Sequence, residues 1–247
     1  MHSESEDNSL VEGNDAVMFK ASRLGSKDHW DSVYMREIVN YEESGDTGDI
    51  WYGEETTEKL VKWVSNNIDN TNARILDVGC GNGHLLVKLA TEGYTNLIGT
   101  DYSLQAVELA QSIAKGSSLS DRITFLEQNF LDPVDVARVA GHEKFDVVLD
   151  KGAYDAISLM LKDDGKDTST CLEVDRAAID IYPISVVASL KDEGILLLTS
   201  CNWTEDELIS RFKEHLELTG RIKHQSFRFG GVVGQTVVTL AFKKRSN

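Results

Sequence analysis

The chain is short of basic residues: 25 Lys and Arg stand against 41 Asp and Glu, a formal net charge of -16. So acidic a surface would repel a phosphate backbone, whose binding rests on Lys and Arg displacing counterions, and nucleic acid is not an expected partner. Basic protein surfaces are favoured instead, because opposite charge speeds encounter. Cysteine is scarce too. Cys80, Cys171 and Cys201 are odd in number and form no CxxC, and the six histidines form no HExxH. Neither a disulfide framework nor a zinc site is supported, and no metal is expected. The opening stretch MHSESEDNSLVEGND lacks the basic-then-apolar order of a secretory signal, and no apolar run approaches the roughly 20 residues that cross a bilayer. A cytoplasmic protein without a membrane partner is the expectation.

What the chain does contain is enough apolar material, 41% of 247 residues, for one large α/β core. Glu4, Glu6, Asp7, Glu12 and Asp15 precede the first lysine, Lys20. That composition cannot offset chain entropy, so residues 1–20 are expected to be a disordered acidic tail and 21–247 a single domain. Five short runs, at 74–80, 95–101, 123–130, 145–151 and 194–201, are mostly apolar on both faces, as buried parallel strands are. Helical stripes are expected before and between them. Leu60, Val61, Val64 and Ile68 form one; Leu85, Leu86, Leu89 and Ala90 form another, closed by Gly93. Ser103 can cap a third, and Thr204 with Glu207 has capping-box spacing ahead of Leu208, Phe212 and Leu216. Two β-rich runs, 224–229 and 236–243, follow with a connection too short for a crossover helix, so they are expected to pair antiparallel. The expected fold is α/β, Rossmann-like: a seven-stranded, mostly parallel sheet with an antiparallel last strand and helices on both faces, the ending of class I methyltransferases.

Within ILDVGCGNG (75–83), Gly79, Gly81 and Gly83 follow a buried strand and open a helix, where glycine lets a ligand approach the backbone. A dinucleotide fingerprint would need glycine at position 84, which is His84, and its pyrophosphate would sit poorly beside Asp77. S-adenosylmethionine fits better: it carries no phosphate, and its ribose hydroxyls suit Asp101 at the end of the second strand. The plain alternative is a loop that binds nothing and an Asp101 that caps the next helix. Asn129 ends the third strand, either beside the adenine amino group or as a turn former before Leu131-Asp132-Pro133. Asp150 closes the fourth strand, where an open sheet binds ligands, and is expected to meet the methyl acceptor. Tyr154 is a core aromatic or a channel wall, and Trp51 and Trp203 are further candidate walls. Aromatic faces around a carboxylate attract a cation. Asp155 reads as a helix-start acid and Lys151 as a solvated charge.

LGSKDHWDSVY (24–34), GDTGDIWYGEE (45–55), DKGAYDAISL (150–159), TSCNWTEDEL (199–208) and FRFGG (227–231), with the glycine loop, resemble the eukaryotic protein-lysine methyltransferases that modify translation elongation factor 1-alpha. The resemblance implies an enzyme that binds S-adenosylmethionine and transfers its methyl group in line to a lysine of elongation factor 1-alpha, a basic protein partner. It implies that Trp51 and Glu54 close over the cofactor and that Asp77, Gly79, Asp101 and Asn129 bind it. Asn129 stands where relatives often have Asp, and Ala153 where they often have Thr. Two other functions stay open. A small-molecule methyltransferase of this fold would need a lid around its acceptor, for which only the short polar KDDGKDTST (162–170) is available. A non-catalytic methyltransferase-like binding module would have lost loop glycines or Asp101, and all are present. A monomer is expected.

Overall fold

The structure, a computed structural model, describes residues 22–160, 175–229, 232–235 and 237–245. The expected acidic tail (1–20) and the polar segment 162–170 lie outside the described residues. A 3-10 turn, Arg23–Gly25, leads into α1 (Lys27–Ser44) and α2 (Gly53–Asn67). Then β1 (Ile75–Val78), α3 (His84–Thr91), β2 (Leu97–Asp101), α4 (Leu104–Gly116), β3 (Ile123–Glu127), α5 (Pro133–Ala140) and β4 (Phe145–Lys151) alternate. They are followed by α6 (Ala153–Ile157), α7 (Arg176–Ser189), β5 (Leu190–Ser200), α8 (Glu205–Phe212), β6 (Leu216–Ile222), β7 (Ser226–Phe229), β8 (Val232–Gln235) and β9 (Val238–Lys244).

Seven strands form one sheet in the order β3-β2-β1-β4-β5-β9-β6. The first five are parallel, and β9 is antiparallel to both of its neighbours. Alternate side chains feed two apolar layers, as the pleat requires. Leu76, Val148, Leu196 and Leu198 pack one way, onto Ile179, Tyr182 and Val186 of α7 and Phe212 of α8. Ile75, Val147, Leu149 and Leu197 pack the other way, onto Leu60 and Val64 of α2 and Leu86 and Leu89 of α3. Strands covered on both faces account for the continuous apolar runs.

Local signals hold where they are strongest. The Ser103 hydroxyl accepts the Ala106 N–H at the start of α4, and Thr204 and Glu207 form a reciprocal capping box at α8. Two expectations need correction. The apolar stripe Leu208, Phe212, Leu216 does not stay helical: α8 ends at Phe212, and 216–222 alternates in burial with a period of two and forms β6. Nor do 224–229 and 236–243 pair with each other. Strand β7 turns back on β8 in a separate two-stranded sheet, while β9 enters the main sheet between β5 and β6. There Leu240, Ala241 and Phe242 are fully buried, and Thr239 hydrogen-bonds Thr199 across the strands at 2.9 Å. A strand apolar on both faces is more stable inside the sheet than in an isolated hairpin.

The chain runs from β1 outward to β3 and then returns to lay β4 on the other side of β1. That reversal opens a crevice at the carboxyl ends of β1 and β4, the usual ligand position in an open α/β sheet. Among the described residues no helix is long and apolar enough to cross a membrane, and no group of three His, Cys, Asp or Glu is placed to hold a metal.

Candidate active site

After β1 the backbone turns through Gly79, Gly81 and Gly83, at φ +62°, +54° and +74°. This left-handed region disfavours any side chain, and space forbids one as well. A Cβ at these positions would lie 2.7 Å from Ala153 Cβ, Tyr34 Oη and the Phe125 ring respectively. The loop therefore presents bare backbone to the crevice. Asp101 at the end of β2 braces it, accepting the Gly81 and Ser103 N–H groups at 3.0 Å each. Burial raises the Asp101 pKa to about 6, against the pull of those backbone donors. Asp77 in β1 is pushed up to about 7, chiefly by burial, with Lys151 opposing and the charges of Asp150 and Asp101 adding to it.

A cavity of about 220 Å³ sits over these strand ends. One wall is the glycine loop with Asp101, Tyr102, Gln128 and Asn129; the opposite wall is Lys151, Gly152, Ala153 and Asp155 with Cys201 and Asn202 beyond β5. Its roof is a strap, residues 45–52, that joins α1 to α2. The Asn82 side chain donates to Thr47 O at 2.8 Å and Asp49 O at 3.3 Å, and the buried Glu37 carboxylate accepts the Asp49 N–H at 3.2 Å. Trp51 packs edge-on against Trp30 with centroids 5.2 Å apart, and Trp30 stacks on Tyr34. The strap ends at Tyr52, whose φ of +64° is strained for a residue with a side chain. Its hydroxyl crosses the cavity to donate to Asp155 at 2.5 Å.

The expected site residues divide. Gly79, Gly81, Asp101, Asn129 and Trp51 line the cavity. Asp77 and Gly83 support the loop from beneath, Gly83 as the N-cap of α3. Glu54 is turned from the cavity wall: it accepts from His84 Nε2 at 2.8 Å and Lys88 Nζ at 2.5 Å, pinning α2 to α3, and Lys88 lowers its pKa. The Asn129 side chain closes a turn by accepting the Leu131 N–H at 3.0 Å. Beside it Gln128, 3% exposed, lines the cavity with an Oε1 that finds no partner among the described residues.

Asp150, Tyr154 and Trp203, expected at the acceptor, are not among the residues that line the cavity. The Asp150 carboxylate accepts the Gly152, Ala153 and Tyr154 N–H groups at 2.9 Å each and the Tyr182 hydroxyl, so three of its bonds hold the first turn of α6 and the fourth ties it to α7. Burial raises its pKa to about 7, and the Tyr182 and backbone donors oppose the rise. Tyr154 and Trp203 stack at 5.4 Å and 17° in the core beside Tyr182 and Phe212. The carboxylate of this stretch that lines the cavity is Asp155, five places further on. It is 6% exposed and accepts from Tyr52 Oη, from Ser200 Oγ at 2.5 Å and from the Cys201 N–H at 2.8 Å. Lys151, expected to be solvated, is partly buried and donates to Trp51 O at 3.3 Å, and burial lowers its pKa. Tyr52, Gln128 and Trp30 were not legible as site residues, because nothing local in the sequence marks a side chain that reaches a crevice across the fold.

Residues 69–239 match the family described as Methyltransferase domain. Mouse EEF1A lysine methyltransferase 2 is 40% identical over 227 residues, 92% of this chain and 86% of that protein. Protein-lysine N-methyltransferase EFM4 of Saccharomyces cerevisiae is 38% identical over 237 residues, 91% of this chain and 96% of that protein. The structure of the N-methyltransferase NodS from Bradyrhizobium japonicum, in complex with S-adenosyl-l-homocysteine, is similar over 88% of this chain and 99% of its own, with a TM-score of 0.58 at 16% identity.

Proposed function

The chain belongs to the methyltransferase family that includes EEF1A lysine methyltransferase 2 and yeast EFM4, and we propose that it methylates a lysine of elongation factor 1-alpha, using S-adenosylmethionine. The observation that carries this reading is the crevice itself, where bare glycine backbone, Asp101, the Asp155 carboxylate and the Trp51 ring line one cavity. The residues present fit the cofactor. Positive φ at Gly79 and Gly81 keeps the loop free of side chains, Asp101 offers carboxylate oxygens to ribose hydroxyls, and Gln128 holds a buried acceptor without a partner among the described residues, beside Asn129. Trp51 would close over the cofactor, with Glu54 fixing the start of α2 behind it. We read residues 21–247 as one methyltransferase domain.

When bound, S-adenosylmethionine supplies a methyl group activated by its positively charged sulfur. The protein's task is then to align the acceptor amine in line with that methyl group and to exclude water. A lysine with a pKa near 10.4 has fewer than about one amine in a thousand neutral at pH 7, so the site must favour loss of its proton. Burial under Trp30 and Trp51 does so by disfavouring the ammonium. In this reading Asp150, Tyr154 and Trp203 are positioning residues: they fix the α6 turn, whose Ala153 packs where a side chain at Gly79 would collide. The net charge of -16 suits a basic protein substrate.

The test is incubation of the purified protein with methyl-labelled cofactor and elongation factor 1-alpha, followed by mapping of the label. A labelled lysine is expected. Label on a small metabolite, with no labelled lysine in a whole lysate, would overturn the assignment.

A further inference from the structure

The end of the cavity between α6 and β5 is built of donors already committed and acceptors with capacity to spare. Tyr52 Oη, Ser200 Oγ and the Cys201 N–H all direct their protons at Asp155. A carboxylate has about four lone-pair sites, and these three bonds leave one, on the oxygen that Ser200 alone engages. Tyr52 Oη has given its proton to Asp155, has Cys201 Sγ beside it at 3.7 Å, and keeps lone-pair capacity of its own. Burial and the Asp155 charge push the phenol pKa far up, so that proton stays in place. A ligand arriving here must bring its own N–H donors, and the buried negative charge favours one that brings a positive charge too. Trp51 stands next to Tyr52, ring centroids 6.4 Å apart, adding an aromatic face that attracts a cation.

The geometry of this wall also resists collapse. The Tyr52 ring lies over the α6 turn, where a Cβ at Gly152 would come within 2.9 Å of it. The same turn is held from below by Asp150. The two acids thus divide the work: one fixes the backbone, and the other faces the ligand.

We infer that Tyr52 and Asp155 together form the seat of the acceptor amine: they receive the lysine as its ammonium and, once one proton has passed to water, accept the remaining N–H groups while the freed lone pair faces the methyl group. This rests on the lysine methyltransferase reading above and deepens it. Neither residue bonds the glycine loop, which is braced by Asp101, while Tyr52 and Asp155 bond each other and the start of the segment after β5.

The experiment compares wild type with Asp155→Asn and Tyr52→Phe, using elongation factor 1-alpha as acceptor and calorimetry with S-adenosylhomocysteine as the control for an intact fold. Both variants should bind S-adenosylhomocysteine as wild type does while kcat/KM for the protein acceptor falls about tenfold or more, the scale of a hydrogen bond to a charged group. A peptide spanning the wild-type methylation site should compete better than the same peptide with norleucine in place of the lysine, and Asp155→Asn should erase that preference. A preference that survives, or a kcat/KM that does not change, overturns the inference while lysine labelling by wild type keeps the function standing. Loss of S-adenosylhomocysteine affinity equal to the loss in kcat/KM also overturns it, reassigning the pair to cofactor binding or to the fold. Wild-type label on a group other than lysine overturns both together.

Discussion

On the cofactor side of the crevice, the glycine loop and Asp101 belong to one βαβ unit, and the bond from Gly81 to Asp101 spans 20 residues of sequence. On the acceptor side, Tyr52 meets Asp155 across 103 residues, and Asp155 meets the Cys201 N–H across 46. The first wall is set by backbone conformation, which glycine dictates locally. The second is set by side chains delivered from three separate elements. A backbone-built wall tolerates little substitution, whereas a side-chain-built wall can change its chemistry while the sheet beneath stays as it is.

The sharpest way to break the contrast is at Gly79, where the walls touch. Gly79→Ala forces a side chain into φ +62° and sets its Cβ 2.7 Å from Ala153 Cβ, so both walls must shift. Left-handed strain and overpacking together should cost about 2–5 kcal/mol of stability, read by denaturant unfolding, with cofactor affinity lost in parallel. Asp101→Ala should act on one wall alone, lowering S-adenosylhomocysteine affinity by about 1.5–3 kcal/mol in calorimetry while the fold persists. An unchanged affinity would make Asp101 a brace of the loop and nothing more. Asp150→Asn should show up first as lost stability, about 1–3 kcal/mol, because an amide cannot accept from every donor that the carboxylate serves. A melting temperature equal to wild type, with turnover reduced, would return Asp150 to the chemistry. The gentlest probe is pH. With Asp101 raised to about 6, its carboxyl is mostly protonated at pH 5 and mostly ionised at pH 7, so cofactor affinity should rise about tenfold between them. Asp101→Asn should flatten that profile.

How much could be read beforehand follows the same division. The five parallel strands, the glycine turn and Asp101 were legible because burial on both faces and left-handed backbone leave marks in consecutive residues. The capping box at Thr204 was legible for the same reason. Strand β6 was not: Leu216 completes a helical stripe with Leu208 and Phe212, and only the alternation from 216 to 222 argues otherwise. Asp150 and Asp155 sit on the same short stretch, and spacing alone cannot tell which one turns inward to cap a helix. That depends on Tyr182 arriving beneath Asp150 from α7, and on Tyr52 and Ser200 arriving at Asp155 from the strap and β5.

The place of β9 has a consequence for synthesis. It lies between β5 and β6, both of which leave the ribosome before it, and among the described residues β6 has no other partner in the main sheet. Until residues 238–244 emerge, the growing sheet ends at β5, with the backbone of residues 195–200 unpaired on one side. Such an edge invites pairing with other nascent chains. In the finished protein the same arrangement makes β9 a keystone: its release alone would free β6 and bare the edge of β5 in one event.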